Sequence, residues 1–382
     1  MTGFTLGRVP AVAVAPGRID AIGADVAELA GGPVSVLLVC DPALAALGLT
    51  GRTEAALARG EHRVAIFDAF TADPGEAQIA DGASVAWETK AQAVVGLGGG
   101  SALDAAKMIA AAMRADRPLR NYRLAAAPLP DRRARLICVP TTAGTGSEAT
   151  SVSILSGEDK TKYWFWGQSL KPDFVIVDPE LTTGLPPALT AATGLDALVH
   201  AIEAATNRGA NPGNDLYALA AIRLAVGYLP TAYAEPGDID ARTRMLLAAT
   251  SAGAAIDNAG TALAHNIGHA LGSLMPVHHG RAVALAMEAT LPWVIEGNRR
   301  GFARVAEAFG LGADPDALSS AFTGLLDRLD FDRSLPEAID AATLAARMAA
   351  PENAAMRNAT ARDIADADLP ALAESVLALA NR

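Results

Sequence analysis

Cysteine is nearly absent from this sequence: Cys40 and Cys138 are the only two among 382 residues. A disulfide framework is therefore excluded, and so is a thiolate-rich structural zinc site. Both cysteines sit in apolar runs, SVLLVC and LICV, and read as small buried hydrophobes of strands. Long unbroken apolar runs are missing too. None reaches the roughly 18–20 residues that span a bilayer, and the opening MTGFTLGRVPAVAVAPGRID lacks the basic-then-apolar order of a signal peptide. A cytoplasmic protein is expected. Positive charge is in deficit: 31 Lys and Arg stand against 42 Asp and Glu, a net charge of −11. Nucleic acid and anionic membranes need a basic face, so this balance argues against both and leaves small molecules as expected partners.

What is present is core. Hydrophobic residues make up 51% and charged ones 19%, which excludes extended disorder, and the length suits two domains. PVSVLLVC, HRVAIF, QAVVGLGG, RLICVP and FVIVDP are near-continuous apolar strand candidates. Helical stretches such as DAIGADVAELA and SALDAAKMIAAAMRA alternate with them. That alternation predicts a parallel sheet covered on both faces. After Asp178 the proline-bearing segment DPELTTGLPPALT leads into TAATGLDALVHAIEAAT, NDLYALAAIRLAVGYL, RTRMLLAATSAGAAIDN, ALAHNIGHALGSL and RAVALAMEATLPWVIE, all with helical periodicity. The expected organisation is an α/β nucleotide-type domain over 1–183 and an all-helical domain over 184–382.

Gly98, Gly99 and Gly100 follow a strand candidate directly, with Ser101 at the mouth of a helix and Asp104 three residues on, in the manner of a capping box. Glycines allow close backbone approach and a helix start favours an anion, so the loop reads as a phosphate cradle or as an ordinary tight turn. It lacks the G-x-G-x-x-G spacing, so any Rossmann-like arrangement is a variant one. A second loop, PTTAGTGSEAT, places Thr141, Thr142 and Thr145 after the strand RLICVP. Small hydroxyls at a strand's C-terminal end suit phosphate or ribose. Asp41, just past SVLLVC, can accept from ribose hydroxyls and would repel a 2′-phosphate, favouring NAD over NADP; it can also be a solvated turn residue.

Histidine is scarce but clustered, with five of six between His200 and His279. Asp196 and His200 are four apart in GLDALVHAIEA, as are His265 and His269 in LAHNIGHALG, so each pair shares one helix face. His278 and His279 lie in the expected loop PVHHGRA. A carboxylate with three imidazoles would suit Fe2+ or Zn2+ and leave an open position for an alcohol oxygen.

Taken in order, Asp41, GGGSALDAAKMIA, PTTAGTGSEAT, GLDALVHAIEA, HNIGHALGS and HHGRA resemble the iron-containing (group III) alcohol dehydrogenases over nearly the whole chain. The resemblance implies an N-terminal Rossmann-like α/β domain binding NAD(P) and an all-α C-terminal domain, the architecture of dehydroquinate synthase. It also implies a metal in the cleft between them and a homodimer. It names Asp196, His200, His265 and His279 as metal ligands, and His269 as the non-ligand histidine near nicotinamide and substrate. It places Asp41 at the ribose, Gly99, Gly100 and Ser101 at the pyrophosphate, Thr141, Thr142, Thr145 and Thr150 along the second loop, and Lys162 toward the nicotinamide ribose. Asp73 falls where relatives often carry asparagine. The implied activity is reversible hydride transfer between NAD and a small primary alcohol or hydroxy acid, with Ser151, Ser153, Asn258 and Asn358 as pocket candidates. Two alternatives share the resemblance. Maleylacetate reductases tend to carry asparagine at the place of Asp196 and lack the G-T-G-S-E run; a non-redox enzyme of the dehydroquinate synthase type would need a basic cleft.

Overall fold

The computed structural model describes residues 3–132 and 134–381. The chain divides into two compact units. One comprises Val9–Thr142 and Ser147–Thr183; the other comprises the segment up to Arg8, the four residues Ala143–Gly146, and the chain from Gly184 onward.

The first unit is built on six strands: β1 (Ala11–Val14), β2 (Ser35–Cys40), β3 (Arg63–Phe67), β4 (Ala93–Gly98), β5 (Arg135–Pro140) and, after the hairpin of β6 (Val152–Ser156) and β7 (Lys162–Trp166), β8 (Phe174–Val177). The sheet order is β1-β8-β5-β4-β2-β3 and every pairing is parallel. Helices α1 (Ile22–Ala30), α2 (Ala43–Ala46), α3 (Leu49–Arg59), α4 (Glu76–Glu88) and α5 (Gly100–Ala112) accompany it. Side chains alternate along a strand, so the central strands supply two cores. Leu37, Val39, Val94 and Leu136 pack with Ile79, Met108 and Ile109 on one face; Val36, Leu38, Val95, Leu97 and Ile137 pack with Ile19, Ile22 and Leu57 on the other.

All five expected strands are present. The sequence reading did not anticipate β1, a four-residue strand between prolines, or the antiparallel pair β6 and β7. In that pair the aromatic run KYWFW alternates, with Phe165 fully buried and Trp166 half-exposed. His62, the histidine outside the cluster, is a packing residue: Nδ1 accepts from Val34 N (3.0 Å) and Nε2 lies 2.8 Å from the Gly23 carbonyl.

The second unit is helical: α6 (Pro187–Thr206), α7 (Pro212–Ala234), α8 (Ile239–Ala259), α9 (Leu263–Leu274), α10 (His279–Ile295), α11 (Arg299–Phe309), α12 (Ala317–Arg328), α13 (Ala341–Met348), α14 (Ala354–Ala359) and α15 (Leu369–Ala380). Every residue of α6 from Thr190 to Thr206 is buried, because α7, α8 and α10 pack around a helix whose side chains are mostly small. Its partner α7 contains an 18-residue window of mean hydropathy 1.2 and is, by length and composition only, apolar enough to cross a bilayer. The absence of a long unbroken apolar run still holds: alanines raise the mean, while Asp215 and Arg223 interrupt the run.

Burial accounts for the two thiols. Desolvation pushes Cys138 up to about 12 and raises Cys40, so neither holds a reactive thiolate near neutrality. A thiol reagent at pH 8 is expected to modify neither cysteine in the folded protein and both after denaturation; labelling of the native protein at the rate of a free thiol would contradict this packing.

Candidate metal centre and nucleotide loops

On the buried stretch of α6, three polar side chains recur at spacings of four and three: Asp196, His200 and Glu203. They form one stripe down a face otherwise lined by Ala, Leu and Val. Helix α9 brings His265 and His269, and His279 is the first residue of α10. His279 was expected in a loop; it instead opens a helix, with His278 exposed at the N-cap position.

The four candidate ligands converge. His265 Nε2 and His279 Nε2 each lie 3.6 Å from Asp196 Oδ1, and His200 Nδ1 lies 3.9 Å from Asp196 Oδ2. Donor atoms of Asp196, His265 and His279 all fall within 4.8 Å of one another. Two donors each about 2.1 Å from one ion at a tetrahedral angle stand roughly 3.4 Å apart, so the spacing fits a shared cation. The His200 ring stacks on His265 with centroids 4.3 Å apart, and His269 stands beside His279 at 5.3 Å.

Asp196 Oδ1, His200 Nδ1 and His265 Nε2 are buried without a hydrogen-bond partner. Such orphaned atoms are costly unless something binds them; here His265 Nε2 and Asp196 Oδ1 are 3.6 Å apart and His200 Nδ1 lies beside the other oxygen of the same carboxylate. Their counterparts on the far side of two rings are engaged: His265 Nδ1 is 2.7 Å from Glu203 Oε2, and His200 makes a backbone hydrogen bond to Gly144. Burial raises the Asp196 carboxyl, but His200, His279 and His265 outweigh it and hold the group well below the usual carboxylate range. Burial lowers His200 to about 4, against the attraction of Asp196. Burial also disfavours His265 protonation, yet Glu203 and Asp196 raise it to about 9. The cluster thus holds excess negative charge that draws in a cation, and a carboxylate with imidazoles fits a divalent transition metal.

Gly280 allows the close approach. A Cβ there would lie 2.2 Å from the Ala192 carbonyl oxygen and 3.1 Å from Asp196 Cβ, so only glycine lets α10 begin against α6.

In the α/β unit, three loops leave the C-terminal ends of the adjacent strands β2, β4 and β5. The chain runs from β2 outward to β3 but from β4 toward β5, which makes the β2/β4 edge a topological switch point, the usual ligand crevice of such sheets. Asp41 stands on one side of it, its Oδ1 accepting from Ala43 N at 2.9 Å. Gly98, with φ +147°, lies on the other; a side chain there would meet Ala102 Cβ at 2.7 Å. Gly99 caps α5 and Gly100 opens it. The expected capping box is not formed: Ser101 is the second residue of α5, its hydroxyl donates to the Ala72 carbonyl, and Asp104 is buried. Next to Ala72, Asp73 pairs with Lys162 Nζ at 2.9 Å, so two cofactor candidates from distant segments meet. Thr141 N donates to the Gly98 carbonyl at 2.9 Å, and Thr142 approaches Gly99. Thr145 lies in the stretch that belongs to the helical unit.

Lys107, which the sequence reading passed over, is fully buried on α5. Its ammonium donates to Ser147 O (3.0 Å), Ser147 Oγ (2.9 Å), Thr150 Oγ1 (3.0 Å) and the Val152 carbonyl, and lies 3.4 Å from Asp104 Oδ1. Asp104 in turn takes Ser147 Oγ (2.5 Å) and Ile154 N (2.9 Å). This network ties the helix behind the first loop to the end of the second, and it occupies Thr150. Of the pocket candidates, Ser153 donates to the Asp104 carbonyl, Asn258 accepts from Gly7 N, and Asn358 is exposed.

A parallel nucleotide-type sheet joined in one chain to a helical unit with a carboxylate–imidazole cluster defines a metal-dependent, nucleotide-linked class of enzyme. The family follows from comparison: residues 10–179 match the model of the iron-containing alcohol dehydrogenases and residues 190–376 that of their C-terminal region, and the chain belongs to this family. It is 37% identical over 315 residues to alcohol dehydrogenase 4 of Saccharomyces cerevisiae (strain ATCC 204508 / S288c), covering 79% of this chain and 80% of that one. It is 33% identical over 322 residues to the NAD-dependent methanol dehydrogenase of Bacillus methanolicus, covering 84% and 83%. A solved structure of sulfoacetaldehyde reductase from Bifidobacterium kashiwanohense in complex with NAD+ superimposes with a TM-score of 0.88 at 28% identity, over 98% of this chain and 99% of that one. By family the protein is an alcohol dehydrogenase of the iron-containing kind.

Two substitutions test this geometry. Gly280→Ala is expected to weaken divalent-metal retention at least tenfold in chelator competition; unchanged retention would show that α10 has room to spare. Lys107→Met leaves Asp104 buried without its cation, and a loss of about 3–5 kcal/mol is expected in urea unfolding. A loss below 1 kcal/mol would show the network to be dispensable.

Proposed function

We propose that this protein interconverts a small primary alcohol or hydroxy acid and its aldehyde, with NAD as hydride carrier and iron held by Asp196, His200, His265 and His279. The observation that carries the reading is the convergence of orphaned donors from Asp196, His200 and His265, with His279 alongside. On this reading residues 1–183 bind NAD and residues 184–382 hold metal and substrate. Asp41 receives the adenosine ribose, Gly99, Gly100 and Ser101 the pyrophosphate, and Thr141, Thr142 and Thr145 the remaining phosphate and ribose oxygens. Thr150 supports that loop from behind. Lys162, steered by Asp73, reaches toward the nicotinamide ribose.

Iron, when bound, supplies Lewis acidity that favours loss of the substrate hydroxyl proton and stabilises negative charge on oxygen. NAD, held by these residues, would supply the acceptor for the hydride that the carbinol carbon gives up as it becomes the aldehyde. His269, at the margin of the ligand cluster, takes the released hydroxyl proton on a ring nitrogen and hands it to water. A methanol dehydrogenase and a sulfoacetaldehyde reductase among the relatives fit a short substrate and a long-chain-alcohol dehydrogenase does not, so chain length is decided by the substrate panel. We further propose a cytoplasmic homodimer, consistent with two buried, unpaired cysteines; sedimentation at twice the monomer mass tests the dimer.

The test of function is a panel of short alcohols, hydroxy acids and aldehydes assayed with NAD and NADP after loading with Fe2+ or Zn2+. NAD-dependent turnover abolished by chelator and restored by one of these ions is expected. Asp196→Ala should lose metal and at least about a hundredfold in turnover. His269→Ala should retain metal and lose turnover; unchanged turnover would remove His269 from the reaction.

A further inference from the structure

We propose that Glu203 is the positioning residue of the metal centre: one carboxylate fixes both the His265 ring and the helix start that carries it. Metal affinity therefore depends on Glu203 although it is not a ligand. The inference rests on the ligand set proposed above and adds a residue to which neither motif nor comparison assigns a role.

Glu203 is 3% exposed and lies on α6 seven residues after Asp196. Both of its oxygens are committed to a single neighbouring element. Oε2 meets His265 Nδ1 and the backbone N of Ala262, each at 2.7 Å, and Oε1 accepts from the backbone N of Ala264, also at 2.7 Å. Ala262 is the N-cap position of α9 and has no side chain able to cap; no side-chain cap bond forms there. The first turn of any helix leaves N–H groups unpaired, and a carboxylate beside them is favoured by hydrogen bonding and by the helix dipole. Glu203 supplies from α6 the cap that α9 lacks, with His265 as the third residue of that helix.

The ring consequence follows from imidazole chemistry. A carboxylate at Nδ1 keeps the proton on that nitrogen, so Nε2 is the atom whose lone pair becomes available when a cation displaces its proton. Nε2 is the atom without a hydrogen-bond partner, 3.6 Å from Asp196 Oδ1. Without the carboxylate, neither the tautomer nor the ring plane of His265 is specified. Charge adds a second consequence. Asp196 and Glu203 bring two negative charges into an interior closed to water, and one divalent cation balances them. A neutral group at 203 leaves the loaded site with one uncompensated positive charge.

Losing such an outer partner generally costs about 10–100-fold in metal affinity. The test uses the full-length protein, stripped of metal and titrated with Zn2+ and Co2+ against a chromophoric chelator, with the visible spectrum of the cobalt form and the dissociation constant for NAD as further readouts. Glu203→Gln, nearly the same shape, is expected to bind Zn2+ about 10–100-fold more weakly and to alter the cobalt bands while leaving NAD affinity unchanged. Glu203→Asp, with the charge but a shorter reach, should fall between and serves if the Gln variant does not fold. In a His265→Gln background the same substitution at 203 should cost clearly less, since the part of its action that passes through that ring is already lost. Binding by Glu203→Gln within twofold of wild type, or an equal loss with and without His265, would overturn the proposal. Failure of the wild-type protein to take up one ion per chain would instead overturn the ligand set itself.

Discussion

Asp196 and Glu203 sit two turns apart on a helix from which water is excluded, and a carboxylate in such a place must be matched by cations or donors or it would not stay ionised. Much of the helical unit can be read as the answer. Three imidazoles gather around Asp196, while α9 presents its bare first turn and one histidine to Glu203. Gly280 lets α10 start against α6 so that His279 completes the ring. The small residues of α6 serve the same end, because they let neighbouring helices close over a polar stripe that larger side chains would hold apart. Burial raises carboxyl protonation and the histidines lower it, and the second effect wins.

The α/β unit solves the mirror-image problem. There the buried charge is the ammonium of Lys107, answered by a hydroxyl pair, two carbonyls and Asp104. The outcome is again positional: α5, whose first turn faces the β2/β4 crevice, is tied to the chain segment that follows the second polar loop. Both units thus anchor a functional loop or helix start through one charged side chain that solvent never reaches.

Much of this was legible in the sequence because it obeys simple periodicities. The five strands announce themselves as apolar runs, and α6 and α9 each show a pair of candidate site residues four apart. What escaped did so for physical reasons. β1 offers only four residues, and β6 and β7 alternate around polar and aromatic side chains that suit a loop equally well. Glu203 and Lys107 are strong helix formers in alanine-rich helices, where glutamate and lysine normally face water. Their one signal is position: Glu203 continues the Asp196–His200 stripe, and Lys107 lies three residues beyond Asp104. Ser101 misled for the opposite reason. It has the ideal chemistry for an N-cap, but Gly99 holds that position, and the hydroxyl turns to Ala72 instead.

The four residues Ala143–Gly146 leave the α/β unit, join the helical one and return. There Gly144 fits so closely to Thr193, and Gly146 to Gly253, that a Cβ at any of the three glycine positions would come within 2.8 Å of a neighbour. Gly144 also steadies His200. The helical half is therefore not a portable cassette. A gene fragment beginning at Gly184 would encode all four ligand candidates and Glu203, yet lack the splint behind His200. Recombination that exchanged the halves at a single crossover would pair each helical unit with a foreign splint.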